Sequence, residues 1–160
     1  QLCGYMKLIL LKIASSESVG CVKHRWGQHS RFYNAVVTKK NNPNLTEEQK
    51  SVLFDEGTEL AGTSKLNHEK REGSFHCANC GEQLFDSSTK YESGSGWPSF
   101  YQSLPDVFET KTDHHLGYAR TEYHCKKCGG HHGHIFEDGP NPTGKRYCNN
   151  GVCLVFKPKS

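Results

Sequence analysis

The chain is short of apolar residues and has no long run of them. Hydrophobic side chains make up 34% of its 160 residues. A membrane-spanning helix needs about 20 consecutive apolar residues; the run from Leu8 to Leu11 stops at Lys12, so no membrane span is expected. The same scarcity excludes an Ala/Leu-rich helical bundle and a coiled coil, and the length suits one domain rather than two. Acids are also nearly missing from the first 43 positions. Glu17 stands there alone against seven Lys and Arg, a net of +6. Residues 44–160 carry 13 basic and 16 acidic side chains, a net of −3. A nucleic-acid binder concentrates positive charge on its folded domain; here it lies on a leader, which argues against nucleic acid as a partner.

A basic, Ser-bearing, acid-poor leader fits a mitochondrial transit peptide. A disordered cytosolic tail and a secretory signal are the other readings, the last weakened by Lys12. The polar, Pro-containing stretch Thr38 to Asn44 reads as a linker, so the division is a leader over 1–43 and a domain over 44–160. Thr46-Glu47-Glu48-Gln49 has the form of a capping box, and Val52, Leu53 and Leu60 give a modest apolar stripe. Together they predict one short helix over about 46–56, with Gly57 as its stop.

What the chain has in abundance is 16 Gly, 10 His and 8 Cys. After residue 73, short apolar or aromatic segments alternate with turn residues: 74–77, 99–101, 120–125, 134–136, 146–148 and 152–156. That texture predicts a mainly β domain. One unit occurs twice: Phe75-His76-Cys77-Ala78-Asn79-Cys80-Gly81 and Tyr123-His124-Cys125-Lys126-Lys127-Cys128-Gly129. Each Cys-x-x-Cys-Gly is a knuckle whose two thiolates can converge on one ion, with the glycine free to take the positive φ that follows. Cys77, Cys80, Cys125 and Cys128 therefore predict a closed tetrahedral zinc site, a staple for a thin core. Two redox dithiols or two disulfides are the competing readings; a redox dithiol normally opens a helix in a βαβ unit, and none is encoded here. A site filled by four sulfurs has no open position for a reacting water.

Four cysteines remain. Cys148 lies in Arg146-Tyr147-Cys148-Asn149-Asn150. A strand there puts Arg146, Cys148 and Asn150 on one face, and a cation beside a thiol favours the thiolate. The bland alternative is a buried strand cysteine. A second segment, His131-His132-Gly133-His134-Ile135-Phe136-Glu137-Asp138, places His134, Phe136 and Asp138 on one face if extended. An Asp beside a His makes it a proton donor near neutrality. Three near-adjacent histidines also admit a second metal site.

From about Leu45 to Pro158 the chain resembles the B-type methionine sulfoxide reductases, which reduce the R epimer of methionine sulfoxide. The resemblance rests on Cys-Ala-Asn-Cys-Gly-Glu-Gln-Leu-Phe (77–85), Lys-Tyr-Glu-Ser-Gly-Ser-Gly-Trp-Pro-Ser-Phe (90–100), Arg-Thr-Glu (120–122), Cys-Lys-Lys-Cys (125–128), His-x-Gly-His-x-Phe-x-Asp-Gly-Pro (131–140) and Pro-Thr-Gly-Lys-Arg-Tyr-Cys (142–148), in that order. It implies two antiparallel sheets with a structural zinc, one per chain, at one end. It implies Cys148 as nucleophile, passing through a sulfenic acid, with His134 and His131 as acid and polar partners of the sulfoxide oxygen. Asp138 would stand behind His134, Arg146 and Asn150 would tune and orient the thiolate, and Trp97 and Phe136 would be the substrate-binding aromatics. The implied partners are oxidised protein methionine and a thioredoxin-like dithiol, with the chain a monomer. Many members carry a recycling cysteine where this chain has Ser95, so the resolving thiol is Cys153, Cys21, Cys3 or an external reductant. From another class, the rival reading is a zinc-stabilised interaction module without catalysis.

Overall fold

The computed structural model describes residues 41–160; the leader and its cysteines, Cys3 and Cys21, lie outside the described residues. The described fold opens with one helix, α1 (Glu47–Asp55). Both arms of the predicted capping box form: Thr46 Oγ1 accepts from the Gln49 amide at 3.1 Å, and Gln49 Oε1 accepts from the Thr46 amide at 3.0 Å. Val52 and Leu53 face inward, buried as expected, but Leu60 is 75% exposed and belongs to no stripe. The helix ends at Glu56, in the left-handed region with φ 57°, rather than at the glycine after it. Among the described residues no helix is long and apolar enough to cross a membrane.

The strands that follow are β1 (Gly73–Cys77), β2 (Gln83–Asp86), β3 (Lys90–Tyr91), β4 (Ser99–Phe100), β5 (Phe108–Asp113), β6 (Arg120–Cys125), β7 (His131–Phe136), β8 (Arg146–Asn149) and β9 (Leu154–Pro158). They form two antiparallel sheets, a small one ordered β2-β1-β9 and a large one ordered β3-β4-β8-β7-β6-β5. The mainly β expectation holds. β5 escapes the sequence because Phe-Glu-Thr-Lys-Thr-Asp has almost no apolar alternation: it is a solvated edge, held by pairing along its full length with β6. Val152 sits in a 3-10 turn (Gly151–Cys153) before β9, not in a strand.

The inner faces of the sheets share an aromatic core of Phe75, Phe85, Phe100 and Tyr123. Phe85 stacks on Phe100 with centroids 4.0 Å apart, and Phe75 meets Phe100 edge-on at 4.9 Å. A second cluster, Leu45, Val52, Leu53, Ala78 and Cys153, seats the helix. The large rings compensate for the low apolar count, because each buries a large area on few residues.

One core position is polar. Asn149, on the face of β8 opposite Cys148, is fully buried. Its Oδ1 accepts from the Tyr123 hydroxyl at 2.8 Å and its Nδ2 donates to the Asn150 carbonyl at 2.7 Å, so the desolvated amide is satisfied. Tyr123→Phe leaves Oδ1 buried without a donor. Urea unfolding is expected to show a loss of about 1–3 kcal/mol; an unchanged midpoint would mean the bond contributes nothing.

Candidate active site

The register of the large sheet determines the site. Cys148 on β8 pairs directly with His134 on β7 and with Ser99 on β4. His134 in turn pairs with Glu122 on β6, and Glu122 with Lys111 on β5. Directly paired residues of an antiparallel sheet project to the same face, with Cβ atoms about 4.5–5.5 Å apart. Ser99, Cys148, His134, Glu122 and Lys111 therefore form one transverse polar row, while Tyr123, Tyr147 and Asn149 point into the core from the other face.

Around Cys148 and His134 lies a cleft of about 110 Å³ lined by Thr58, Trp97, Arg120, Phe136 and Asn150. That is too small for a whole drug-sized ligand, whose pockets run to about 300 Å³ and more, but it suits the end of one side chain. A larger cleft, about 620 Å³, lies beside Lys70, Asp86 and Lys159 and is lined by neither thiol nor imidazole.

Burial pushes the Cys148 thiol above the ordinary range; the Ser95 hydroxyl, 3.8 Å from Sγ, and the charge of Arg146 pull it down without reversing the shift. Arg146 thus acts in the expected direction, but burial outweighs it. Arg146 also grips Asp138 with two bonds of 2.8 Å and lies over the Phe136 ring at 4.3 Å. Asp138 is thus the partner of Arg146 and not of His134. The carboxylate at His134 is Asp113, whose Oδ2 lies 2.9 Å from Nε2. Asp113 also bonds Arg120, and the His115 amide, His134 and Arg120 together hold it well below the usual carboxylate range.

A β-bulge at the start of β7 separates the three histidines: Tyr123 pairs with Gly133, but His124 pairs with His131. The skipped residue, His132, turns into the core and stacks near Tyr123, with centroids 6.4 Å apart. His131 returns to the functional face, edge-on to His134 at 5.8 Å. It is only 2% exposed, beneath the cleft rather than in its lining, and desolvation pulls its pKa down to about 4. The three histidines therefore form no single metal site.

A loop over 58–64 completes the site. Trp97 Nε1 donates to the Glu59 carbonyl at 2.9 Å, and the Glu59 amide donates to Asn150 Oδ1 at 2.9 Å. The Glu59 carboxylate accepts from the Gly151 amide at 2.5 Å, and burial raises its pKa. Asn150 also donates to the His132 carbonyl at 3.1 Å. Both ends of its amide are occupied, so it ties β7, β8 and the loop together. Asp113 and Glu59 were not singled out from the sequence. Asp113 had a weak signal, a lone acid before His-His at a hairpin; Glu59 had none. Cys153 is fully buried in the helix cluster, outside the cleft, with its pKa driven far up by desolvation.

The four knuckle cysteines meet at one end of the sheets. Sγ of Cys77 lies 3.7 Å from that of Cys128, and Cys80 3.6 Å from Cys125. A tetrahedron with metal–sulfur bonds of about 2.3 Å has edges of about 3.8 Å, so the group suits a structural metal. Cys77 ends β1 and Cys125 ends β6, so such a metal joins the two sheets.

With this geometry in hand, comparison with known proteins is specific. Residues 45–158 match the SelR domain. A protein of Leptospira interrogans named peptide methionine sulfoxide reductase MsrB is 54% identical over 114 residues, 71% of this chain and 87% of its own. A protein of the same name from Pseudomonas putida is 52% identical over 117 residues, 72% of this chain and 87% of its own. One from Methanosarcina barkeri is 51% identical over 114 residues, 71% and 80% respectively. Cleft, paired thiol and imidazole, cysteine quartet and sequence agree, and the chain belongs to the SelR-domain family of B-type methionine sulfoxide reductases.

Proposed function

We propose that this chain reduces methionine-R-sulfoxide in proteins to methionine, with Cys148 as the atom that takes the oxygen. The observation that carries this reading is the direct cross-strand pairing of Cys148 with His134 inside a cleft walled by Trp97 and Phe136. A sulfoxide has an apolar methyl and a polar oxygen. The indole offers the methyl a favourable sulfur–aromatic surface, and its own N–H is already bound to Glu59, so the ring is held still. The family and the built cleft disfavour a purely structural interaction module.

Cys148 sulfur attacks the sulfoxide sulfur. The sulfoxide oxygen passes to Cys148, methionine leaves as the thioether, and the enzyme is left as a sulfenic acid. His134 takes up the proton that the Cys148 thiol loses and delivers one to the sulfoxide oxygen, so the oxygen crosses to Cys148 as a hydroxyl and no net proton is consumed. The sulfoxide oxygen takes the place of Asp113 at Nε2. An incoming thiol then attacks the sulfenic acid, releasing water and forming a disulfide, and a second thiol reduces that disulfide. Asp138 and Arg146 act as a pair: the carboxylate holds the guanidinium over the Phe136 ring. His131, Asn150 and Asp113 are positioning residues.

Cys153 is too deeply buried to serve readily as the resolving thiol, and Ser95 holds the nearest hydroxyl. We therefore assign resolution to an external thioredoxin-like dithiol acting on a monomeric enzyme; Cys3 and Cys21 lie outside the described residues. The four-cysteine group binds zinc, which closes the fold and takes no part in the reaction. The basic stretch 1–43 supports delivery to the mitochondrion.

Turnover of separated R and S sulfoxides with a dithiol tests the reading. Only the R epimer is expected to react; Cys148→Ser is expected to abolish turnover, and His134→Asn to lower it by about 10²–10⁴ with metal content unchanged. Substantial activity in Cys148→Ser would refute the assignment. Because burial raises the Cys148 pKa, its alkylation by iodoacetamide is expected to be slow at pH 7 and to climb only above about pH 8.5, the free-thiol value; a plateau below pH 8 would contradict the buried, protonated resting thiol. Ser95→Cys places a sulfur beside Cys148. Mass spectrometry of the oxidised variant is expected to find a 95–148 disulfide, and its absence would show that the two side chains do not meet.

A further inference from the structure

The polar row continues past the catalytic pair to a second cluster, which shares with the proposed site only the positioning residue His131. Glu122, His124 and His131 bring one carboxylate oxygen and two imidazole nitrogens within 4.8 Å of one another. Glu122 and His131 are each only 2% exposed, and His124 is largely buried. Nδ1 of His131 approaches Glu122 Oε1 to 2.5 Å, and Nε2 of His124 lies 3.1 Å from the same oxygen. Neither nitrogen is aligned for a hydrogen bond, and both are buried without one. Buried polar nitrogens normally have a hydrogen-bond partner; these two have none and converge on one oxygen of a buried carboxylate. The other nitrogen of His124, Nδ1, faces the Gly129 carbonyl at 3.4 Å. A carbonyl behind one ring nitrogen turns the other outward as a lone pair, the usual support of a metal-ligating histidine.

From this we infer that Glu122, His124 and His131 form a second metal site, selective for borderline divalent ions such as Zn²⁺, Co²⁺ or Ni²⁺. Two imidazoles and a carboxylate are the donor set these ions favour, with a position left for water. Ligand atoms in a tetrahedral site with bonds of about 2.0–2.2 Å stand about 3.4 Å apart, so the two contacts to Glu122 Oε1 need to lengthen by less than about 1 Å. An entry route exists: a cleft of about 310 Å³ lined by Glu56, Lys111, His124 and Gly129 reaches the His124 ring from outside. The present counter-ion is Lys111, whose ammonium lies 3.3 Å from Glu122 Oε2 and also binds Glu56. An incoming dication displaces that ammonium, which is half-exposed and free to swing into water. Because His131 packs edge-on against His134, a metal held here ties down the neighbour of the proposed proton donor and slows turnover.

The test uses protein already carrying one metal per chain in its cysteine site. Co²⁺ is added, with bound metal measured by equilibrium dialysis and by absorption. A second equivalent is expected, with weak ligand-field bands and no sulfur charge-transfer band, and Cys148→Ser is expected to keep it. His124→Ala is expected to weaken it by more than about tenfold, whereas Lys111→Met, which removes the competing cation, is expected to tighten it. Inhibition by Co²⁺ should follow the same order across these variants that retain Cys148. The site is refuted by no second equivalent, by one that His124→Ala leaves intact, or by one that Cys148→Ser abolishes. Binding is read without turnover, so its failure is separate from any failure of the reductase reading.

Discussion

The backbone ladder between β7 and β8 is the constraint on which the site depends. Period-two alternation means that a slip of one residue would send Cys148 into the aromatic core and Asn149 to the cleft. Several independent features hold the register. The Tyr123 hydroxyl captures Asn149 from the core side, Asn150 ties its amide to β7 and to the Glu59 loop, and the bulge at His131–His132 sets where β7 begins. The cysteine quartet acts on the same ladder from its end, because Cys125 closes β6 and Cys128 lies in the turn that leads into β7. A metal there fixes the start of the strand that carries His134, without approaching the reaction.

Burial and reactivity pull against each other at Cys148. Desolvation gives the cleft its apolar character and strengthens every electrostatic contact inside it, but it disfavours the thiolate. Arg146 is the obvious counterweight, yet Asp138 neutralises much of its charge. Burial outweighs both the Ser95 hydroxyl and the charge of Arg146, and the pKa of the thiol stays raised. A buried sulfur that is not a standing thiolate is also protected from indiscriminate oxidation, since susceptibility follows thiolate character and exposure. Cys153 shows the extreme of the same physics, buried in the helix cluster with its pKa driven far up by desolvation.

Much of this was legible in the sequence. The capping box, the two knuckles and the strands bearing Tyr123, His134 and Cys148 depend on local spacing, and local spacing is what a sequence displays. What could not be read comes from contacts between distant segments. Asp138 was assigned to His134 on period-two alternation, but the chain offers it a bidentate guanidinium across the hairpin, a stronger bond. Asp113 reaches His134 from β6's other neighbour, β5, which has no apolar pattern to announce it. His131 and His134, three apart, would face opposite ways in a regular strand, and only the bulge returns both to one face. Leu60, counted as part of a helical stripe, lies beyond a helix that had already ended at Glu56.

The central claim is that Cys148 receives the oxygen in a cleft shared with His134. A single turnover tests it most directly: enzyme free of reductant is mixed with one equivalent of methionine-R-sulfoxide, quenched into dimedone and digested for peptide mapping. The account predicts one methionine released per chain and a dimedone adduct on the peptide bearing Cys148. Methionine released with the adduct on another cysteine, or with Cys148 recovered as an unmodified thiol, would contradict it.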